Sequence, residues 1–317
     1  MGTIRPTANS TQRSGPRLLD RRLVFLLGKG GVGRSTVAAA IGVLAARQGR
    51  RAIVVEVSGR GDVPRLFGVS APQLGTELEL APGLWTLDVD PRAALEEYLR
   101  DQLPLRMLAD AIGSSTTFGY VAAATPGLRE LLTIGKVWEL AQRQRRTQGA
   151  REYDVVIVDA PATGHGLALL EAPRAFADAA SVGPIARQGR RIAATLGDRA
   201  QTALAAVATP ESAAVEELLE LRSALPGRLD TVIANAVVAE RFSAADALAL
   251  RGAHMRAPLD SPMRDALGTA IAEESLARAH RAQLRRLGGD TVTLPLISSQ
   301  ISPAELETLA DALEVLA

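Results

Sequence analysis

From Gly28 to Thr36 the chain reads Gly-Lys-Gly-Gly-Val-Gly-Arg-Ser-Thr, directly after the apolar run Leu23-Val24-Phe25-Leu26-Leu27. Strand, glycine-rich loop and helix in that order form the setting in which a chain binds phosphate. With Gly28, Gly30, Gly31 and Gly33 in place, backbone N–H groups can turn inward on an anion. A helix opening near Arg34 adds its positive dipole end at the same point. The amides of residues 30–35, Val32 included, are expected to cradle a β-phosphate, and Thr36 to reach an α-phosphate. Ser35 can offer its hydroxyl to Mg²⁺. Asp159, closing the run Val155-Val156-Ile157-Val158-Asp159, can hold a magnesium-bound water from a neighbouring strand end. A plain glycine turn, and a solvated strand-end carboxylate, are the ordinary alternatives.

The general spacing for such a loop is glycine, four residues, then Gly-Lys followed by Ser or Thr. Here Gly28 leads to Gly33-Arg34-Ser35, so arginine stands at the lysine position, where it would bridge β- and γ-phosphates. Guanidinium keeps the charge and can bind phosphate through two nitrogens, but it is planar and bulkier than an ammonium. Lysine occurs instead at position 29, which is the deviant form of the loop. Of 36 basic side chains only Lys29 and Lys136 are lysine. General drift toward arginine can explain Arg34; a lysine retained at 29 points to a need for a compact cation.

These residues need a parallel sheet to carry them. A helix over 35–48, a strand over Ala52–Val57, the polar loop Ser58-Gly59-Arg60-Gly61-Asp62 and a strand over Leu84–Asp88 follow the phosphate loop. Residues 91–147 contain no strand pattern and read as helices broken at Pro104, Gly113 and Pro126-Gly127. After the strand ending at Asp159 come helices over 167–196, a strand over 204–209 and a helix over 210–225 with Glu211 in its first turn. A strand over 231–238 containing Asn235, helices within 243–252 and 263–287, a strand over 292–297 and a helix over 303–316 complete the chain. Alternation of this kind means α/β, a mostly parallel sheet flanked by helices.

Composition narrows the class. A 47% hydrophobic fraction over 317 residues supports a large core, and 3% aromatic means that core is aliphatic. No cysteine occurs, which excludes disulfides and cysteine metal sites. No apolar run reaches the length of about 18 residues that a membrane helix needs. A net charge of +1 gives no general electrostatic case for nucleic acid. Residues 1–20, rich in Ser, Thr, Pro, Gly and Arg, read as a disordered tail. Pro6 and Pro16 argue against a transit helix, and the opening six residues do not match a myristoylation signal.

Asp159-Ala160-Pro161-Ala162-Thr163-Gly164-His165-Gly166 resembles the second switch of the arsenite-pump and tail-anchored-protein-targeting ATPases, the anion-transporting ATPase family. That family's usual wording is Asp-Thr-Ala-Pro-Thr-Gly-His-Thr. Pro126-Gly127-Leu128-Arg129-Glu130, Thr209-Pro210-Glu211, the Asn235 strand and Leu294-Pro295-Leu296 also resemble its segments, in its order, so that the likeness spans about 22–316. The resemblance implies a P-loop NTPase with an inserted helical lobe. Its ATPase domain would cover 21–317, with helical insertions at about 91–147 and 167–200. It implies ATP and Mg²⁺ as cofactors, Asn235 at the adenine, Pro295 among the nucleotide-binding residues, and Lys29 reaching across a two-fold interface to a partner's phosphates, as an arginine finger does. It implies a cytoplasmic homodimer, or a heterodimer with a paralogous ATPase, that handles a hydrophobic protein or membrane partner.

Departures are as informative. Aligning Leu66-Phe67-Gly68 with the family's first switch puts Ser58 where an aspartate polarises the attacking water, and a serine is no carboxylate base. Glu56 and Asp62 are nearby, but Asp62 falls four residues later. Arg34 and Ser58 thus change the two residues nearest the γ-phosphate, which points to impaired hydrolysis. Without cysteine, the targeting members' zinc clamp and the pumps' arsenite site are excluded. Met107 is the only methionine in the 91–147 lobe, unlike the methionine-rich groove of the targeting members. His165 is expected to be a hydrogen-bonded structural residue and Lys136 a solvated surface charge. A non-catalytic nucleotide-binding scaffold is one alternative function. Another is a partitioning or division-site ATPase, with Arg143, Arg145 and Arg146 as the DNA-facing cluster; the acidic final helix argues against a membrane-binding end.

Overall fold

The computed structural model describes residues 17–102, 127–145, 149–180, 183–258 and 261–316. Strands β1 (Leu23–Leu27), β2 (Ala52–Glu56), β3 (Leu78–Ala81), β4 (Leu84–Asp88), β5 (Val155–Asp159), β6 (Thr202–Ala208), β7 (Thr231–Val237) and β8 (Thr291–Pro295) form one sheet. Its order is β3-β4-β2-β5-β1-β6-β7-β8. Every neighbouring pair is parallel except β3–β4. The described helices are α1 (Arg34–Arg47), α2 (Asp62–Leu66), α3 (Pro91–Gln102), α4 (Leu128–Leu140), α5 (Thr163–Ala180), α6 (Pro184–Gly197), α7 (Ser212–Ala224), α8 (Ala244–Arg256), α9 (Pro262–Leu287) and α10 (Pro303–Leu313).

The central strands read as unbroken apolar runs because both faces are covered. Successive side chains of β1 alternate between two layers: Leu23 and Phe25 join one core cluster, Val24 and Leu26 the other. The first layer packs Ile134, Val137 and Leu140 of α4 and Ile192 and Leu196 of α6 on the sheet. The second holds α1, α7 and α10. Alanines let α1 lie close to the sheet. At Gly42 a Cβ would stand 2.7 Å from Leu84 Cδ1, so alanine there would force the Leu84 side chain to shift. Among the described residues no helix is long and apolar enough to cross a membrane.

Several expectations shift. Leu18–Asp20 form a 3₁₀ turn with Leu18 and Leu19 buried, so the packed domain begins inside the segment assigned to the tail. Strand β3 was not expected; it is a short, half-exposed edge strand, turned onto β4 through Pro82-Gly83. Only Asp62 of the polar loop after β2 is helical, as the first residue of α2. Helix α5 opens at Thr163, four residues before the apolar pattern begins. Gly127, at φ 79°, is the N-cap of α4, so a helix opens at Leu128, while Pro126 lies outside the described residues. Met107, Pro104 and Gly113 lie outside the described residues.

Two expectations about charge are overturned. Lys136 is not a solvated surface charge: its Nζ donates to Glu97 Oε2 at 2.8 Å and to Glu139 Oε2 at 3.1 Å, and its side chain is 14% exposed. The Arg143, Arg145, Arg146 cluster is no basic strip, because Arg145 is 3% exposed and pairs with Glu139 at 3.0 Å and Glu77 at 2.7 Å. Arg146 lies outside the described residues. Tyr153 donates its hydroxyl to the same Glu77 at 2.7 Å. Burial works against the Arg145 charge, but the two carboxylates outweigh it and hold the pKa above its ordinary value. The network ties α4 to the sheet edge. Removing one partner of a buried pair leaves the others uncompensated. Arg145→Ala is therefore expected to cost about 3–5 kcal/mol in urea unfolding; a midpoint equal to wild type would show that the network adds no stability.

Candidate nucleotide-binding site

The phosphate loop leaves the carboxyl end of β1, which lies between β5 and β6. In open parallel sheets ligands sit outside such ends. Its shape depends on two glycines. Gly28 lies so close to β6 that a Cβ would collide with the Val207 carbonyl oxygen. Gly33, at φ 82°, is the N-cap of α1, and a Cβ there would collide with Asn235 Nδ2. That amide donates to the Val32 carbonyl at 2.9 Å. Asn235 reaches the loop because β7 is irregular beyond Ala234: Ala236 takes φ 58°, and the register against β8 shifts between Ala234 and Val237. Asn235, expected at the adenine, therefore braces the phosphate loop here. Pro295 closes β8 opposite Val237, at the same end of the sheet, and Thr36 lies in the first turn of α1.

Ser35 and Asp159 meet as the motif requires. Parallel pairing sets Asp159 opposite Leu26, and Ser35 Oγ donates to Asp159 Oδ2 at 2.5 Å. Burial pushes the Asp159 carboxyl up, while the Ser35 hydrogen bond and the Arg34 charge pull it down. Among the described residues Asp159 Oδ1 is buried without a hydrogen-bond partner. Hydroxyl and carboxylate oxygens suit Mg²⁺, which takes one or two protein ligands beside substrate phosphates. Among the described residues no group of three or more His, Cys, Asp or Glu could hold a metal alone.

Arg34 does not project from the loop toward a bridging position. Its Nη1 donates back to the Gly28 carbonyl, and its Nε lies 3.6 Å from Asp159 Oδ1. Burial lowers its pKa from the ordinary arginine value, opposed by the charges of Asp159 and Glu217. To reach β- and γ-phosphates it must leave both contacts. Lys29 is 43% exposed, with Nζ 4.0 Å from Glu217 Oε2. Glu217, on α7, was not expected in the site. The same carboxylate accepts from Thr163 Oγ1 of the second switch at 2.6 Å. His165 is exposed in the first turn of α5.

The loop after β2 is fastened by buried carboxylates. Asp88 Oδ1 accepts from Gly59 N–H at 3.1 Å, and Oδ2 from Gly61 N–H at 3.4 Å. Glu56 Oε1 accepts from the N–H groups of Asp62 and Val63 at 2.7 and 3.1 Å. Glu56 is thus spent on the N-terminus of α2. Asp62 sits 3.3 Å from Arg65 Nη2, and Ser58 is exposed, its hydroxyl accepting from Arg60 N–H at 3.3 Å. Neither carboxylate takes over the place aligned with Ser58.

Burial, with the charges of Asp88 and Asp159, pushes Glu56 up to about 7 against its two backbone hydrogen bonds. Folding raises this pKa from the ordinary 4.5. The folded state therefore holds the extra proton between those values, and the group's contribution to stability falls as pH rises from 4.5 to about 7. Glu56→Gln keeps an acceptor for both N–H groups and removes the titration. The variant is expected to melt above wild type at pH 8 by roughly 2–4 °C, with the difference shrinking toward pH 5. A difference that is constant over this range, measured by thermal melts, would contradict it.

Comparison with known sequences agrees with this geometry. A family profile described as anion-transporting ATPase matches residues 21–182, just over half of the chain. The chain is 29% identical over 318 residues to ATPase BagA of Mycobacterium tuberculosis, covering 94% of this chain and 91% of that one. It is 27% identical over 246 residues to the arsenical pump-driving ATPase of Escherichia coli, covering 71% and 41%. It is 29% identical over 192 residues to ATPase GET3B of Arabidopsis thaliana, covering 54% and 44%. With a glycine loop at the end of the central strand and Ser35 bonded to Asp159 beside it, this chain belongs to the anion-transporting ATPase family.

Proposed function

We propose that the chain is an ATP·Mg²⁺-binding subunit that forms a dimer and hydrolyses ATP slowly by itself. The observation that carries this reading is the state of Arg34, turned back onto the Gly28 carbonyl and Asp159 while Ser35 and the loop amides keep the arrangement of a phosphate cradle. The amides of 30–35 bind the phosphates. Ser35 and Asp159 are the residues to hold Mg²⁺, which offsets phosphate charge when bound. Lys29, half exposed beside the loop, is free to reach a partner protomer and supply a compact cation to charge developing there. With Ser58 at the end of β2, no carboxylate of this chain stands in the aligned position to orient water. A paralogue with an intact first switch would supply it.

Closure of two protomers around nucleotide would move the helical lobe, because α5 starts within the second switch and packs against α4 and α6. The partner this motion acts on is a hydrophobic protein segment or a membrane protein, by analogy with the family, and the setting is the cytoplasm. The anchored guanidinium also favours a second reading, a scaffold that binds nucleotide without turnover. Calorimetry beside a hydrolysis assay separates the readings. Wild type is expected to bind ATP with little turnover, and Arg34→Lys to raise kcat about tenfold or more, the size of one lost phosphate contact. In the mixed dimer, Lys29→Ala is expected to cut turnover at least about a hundredfold. Fast turnover by wild type alone would overturn the impaired-subunit reading, and no ATP binding would overturn both.

A further inference from the structure

We propose that Glu217 is the resting counter-ion of Lys29 and the latch on the second switch, and that nucleotide phosphates displace it. This rests on the nucleotide-binding reading above. One carboxylate faces two functional segments: Oε2 lies 4.0 Å from Lys29 Nζ, and Oε1 accepts from Thr163 Oγ1 at 2.6 Å. Lys29 belongs to the phosphate loop; Thr163 is the first residue of α5, the helix that leads from the second switch into the lobe. Arg34 lies within range of the same charge. The helix carrying Glu217 is held from elsewhere. Its Ala214, Val215, Leu218 and Leu221 are buried in the core against the sheet. Glu217 is therefore presented from a fixed element to two parts that must move.

Its pairing with Lys29 is suited to exchange. Both side chains are partly exposed, at 43% and 30%, and an ion pair of that kind is weak and screened by salt. A triphosphate in the cradle carries several negative charges, against one on Glu217. It both competes for Lys29 and repels the carboxylate. When Lys29 turns to a partner's phosphates, Glu217 loses its cation and is pushed from the loop, and Thr163 loses its acceptor. Loop occupancy and lobe position are thereby joined through one side chain, which touches neither substrate nor reacting atoms and is a positioning residue.

Two variants separate charge from hydrogen bond. Glu217→Gln removes the charge and keeps an acceptor; Thr163→Val keeps the charge and removes the hydroxyl. On the full chain, calorimetry at 50 and 300 mM salt is expected to show Glu217→Gln binding ATP about threefold to tenfold more tightly than wild type, the worth of one exposed charge contact. The gain should shrink at the higher salt and be smaller for ADP. Thr163→Val is expected to leave ATP affinity within about twofold. Without nucleotide, its amide exchange across 163–180 should rise to the level wild type reaches only with ATP. ATP affinity that is unchanged or lower in Glu217→Gln, or a gain indifferent to salt, would overturn the latch and leave the nucleotide reading standing. Absence of ATP binding in wild type and variant alike would overturn the nucleotide reading itself.

Discussion

The site depends on a buried carboxylate held one hydrogen bond away from a phosphate loop. Asp159 is 7% exposed, and its charge is tolerated because Ser35 donates to one oxygen and Arg34 stands near the other. That arrangement follows from the sheet. β5 pairs with β1 in parallel, so both strands release their chains at the same edge, and Asp159 falls beside the turn from β1 into α1. Parallel pairing requires crossover helices on both faces, and those helices bury the strand end. The same burial that makes Asp159 costly in the empty site makes it effective toward a cation, since a carboxylate with an unused oxygen in a low-dielectric corner favours positive charge.

Charge balance then explains the conformation of Arg34. Glu56, Asp88 and Asp159 all end strands on this edge, and burial pushes each carboxyl upward. Backbone N–H groups bond both oxygens of Asp88 and one oxygen of Glu56. Asp159 has a hydroxyl only, so the nearest guanidinium folds toward it. An ammonium at position 34 would be a point charge without a fork of donors. Arginine, having several, can bond the Gly28 carbonyl with one nitrogen while another faces Asp159. The substitution therefore changes the resting state of the loop as well as its reach toward phosphate.

How much of this was legible in the sequence depended on whether a residue's role is local. The loop, the strands on either side of it and the opening of α1 are set by adjacent residues, and Gly28, Gly33, Ser35 and Asp159 stand where their neighbours place them. Strand β3 was not legible because an edge strand of four residues, with Glu79 exposed, lacks the apolar run that marked the buried strands. Arg145 looked like one of a surface cluster; only the fold brings Glu77 and Glu139 to it from either side. Glu217 shares its helix with Glu216 and Glu220, and nothing in their spacing distinguishes it. Its meeting with Lys29 and Thr163 joins three segments far apart in the chain, and Asn235 bonds Val32 across 203 residues.

The loop after β2 shows what a serine at position 58, with the neighbouring carboxylates turned inward, means for the fold as well as for chemistry. A loop that polarises water must carry its carboxylate outward and be able to move with nucleotide. Here the outward position is a serine whose hydroxyl closes a local turn on Arg60, and the carboxylates point inward as anchors. Anchoring orders the backbone from Gly59 to Val63 at the cost of burying two acids, Glu56 and Asp88. A base held near the substrate and a base buried under the loop are incompatible uses of the same strand ends, since burial that raises a carboxyl also withdraws it from water. In this chain the strand ends serve the second use. Of the polar groups in the phosphate site, that leaves Lys29 with its Nζ lightly held, 4.0 Å from Glu217.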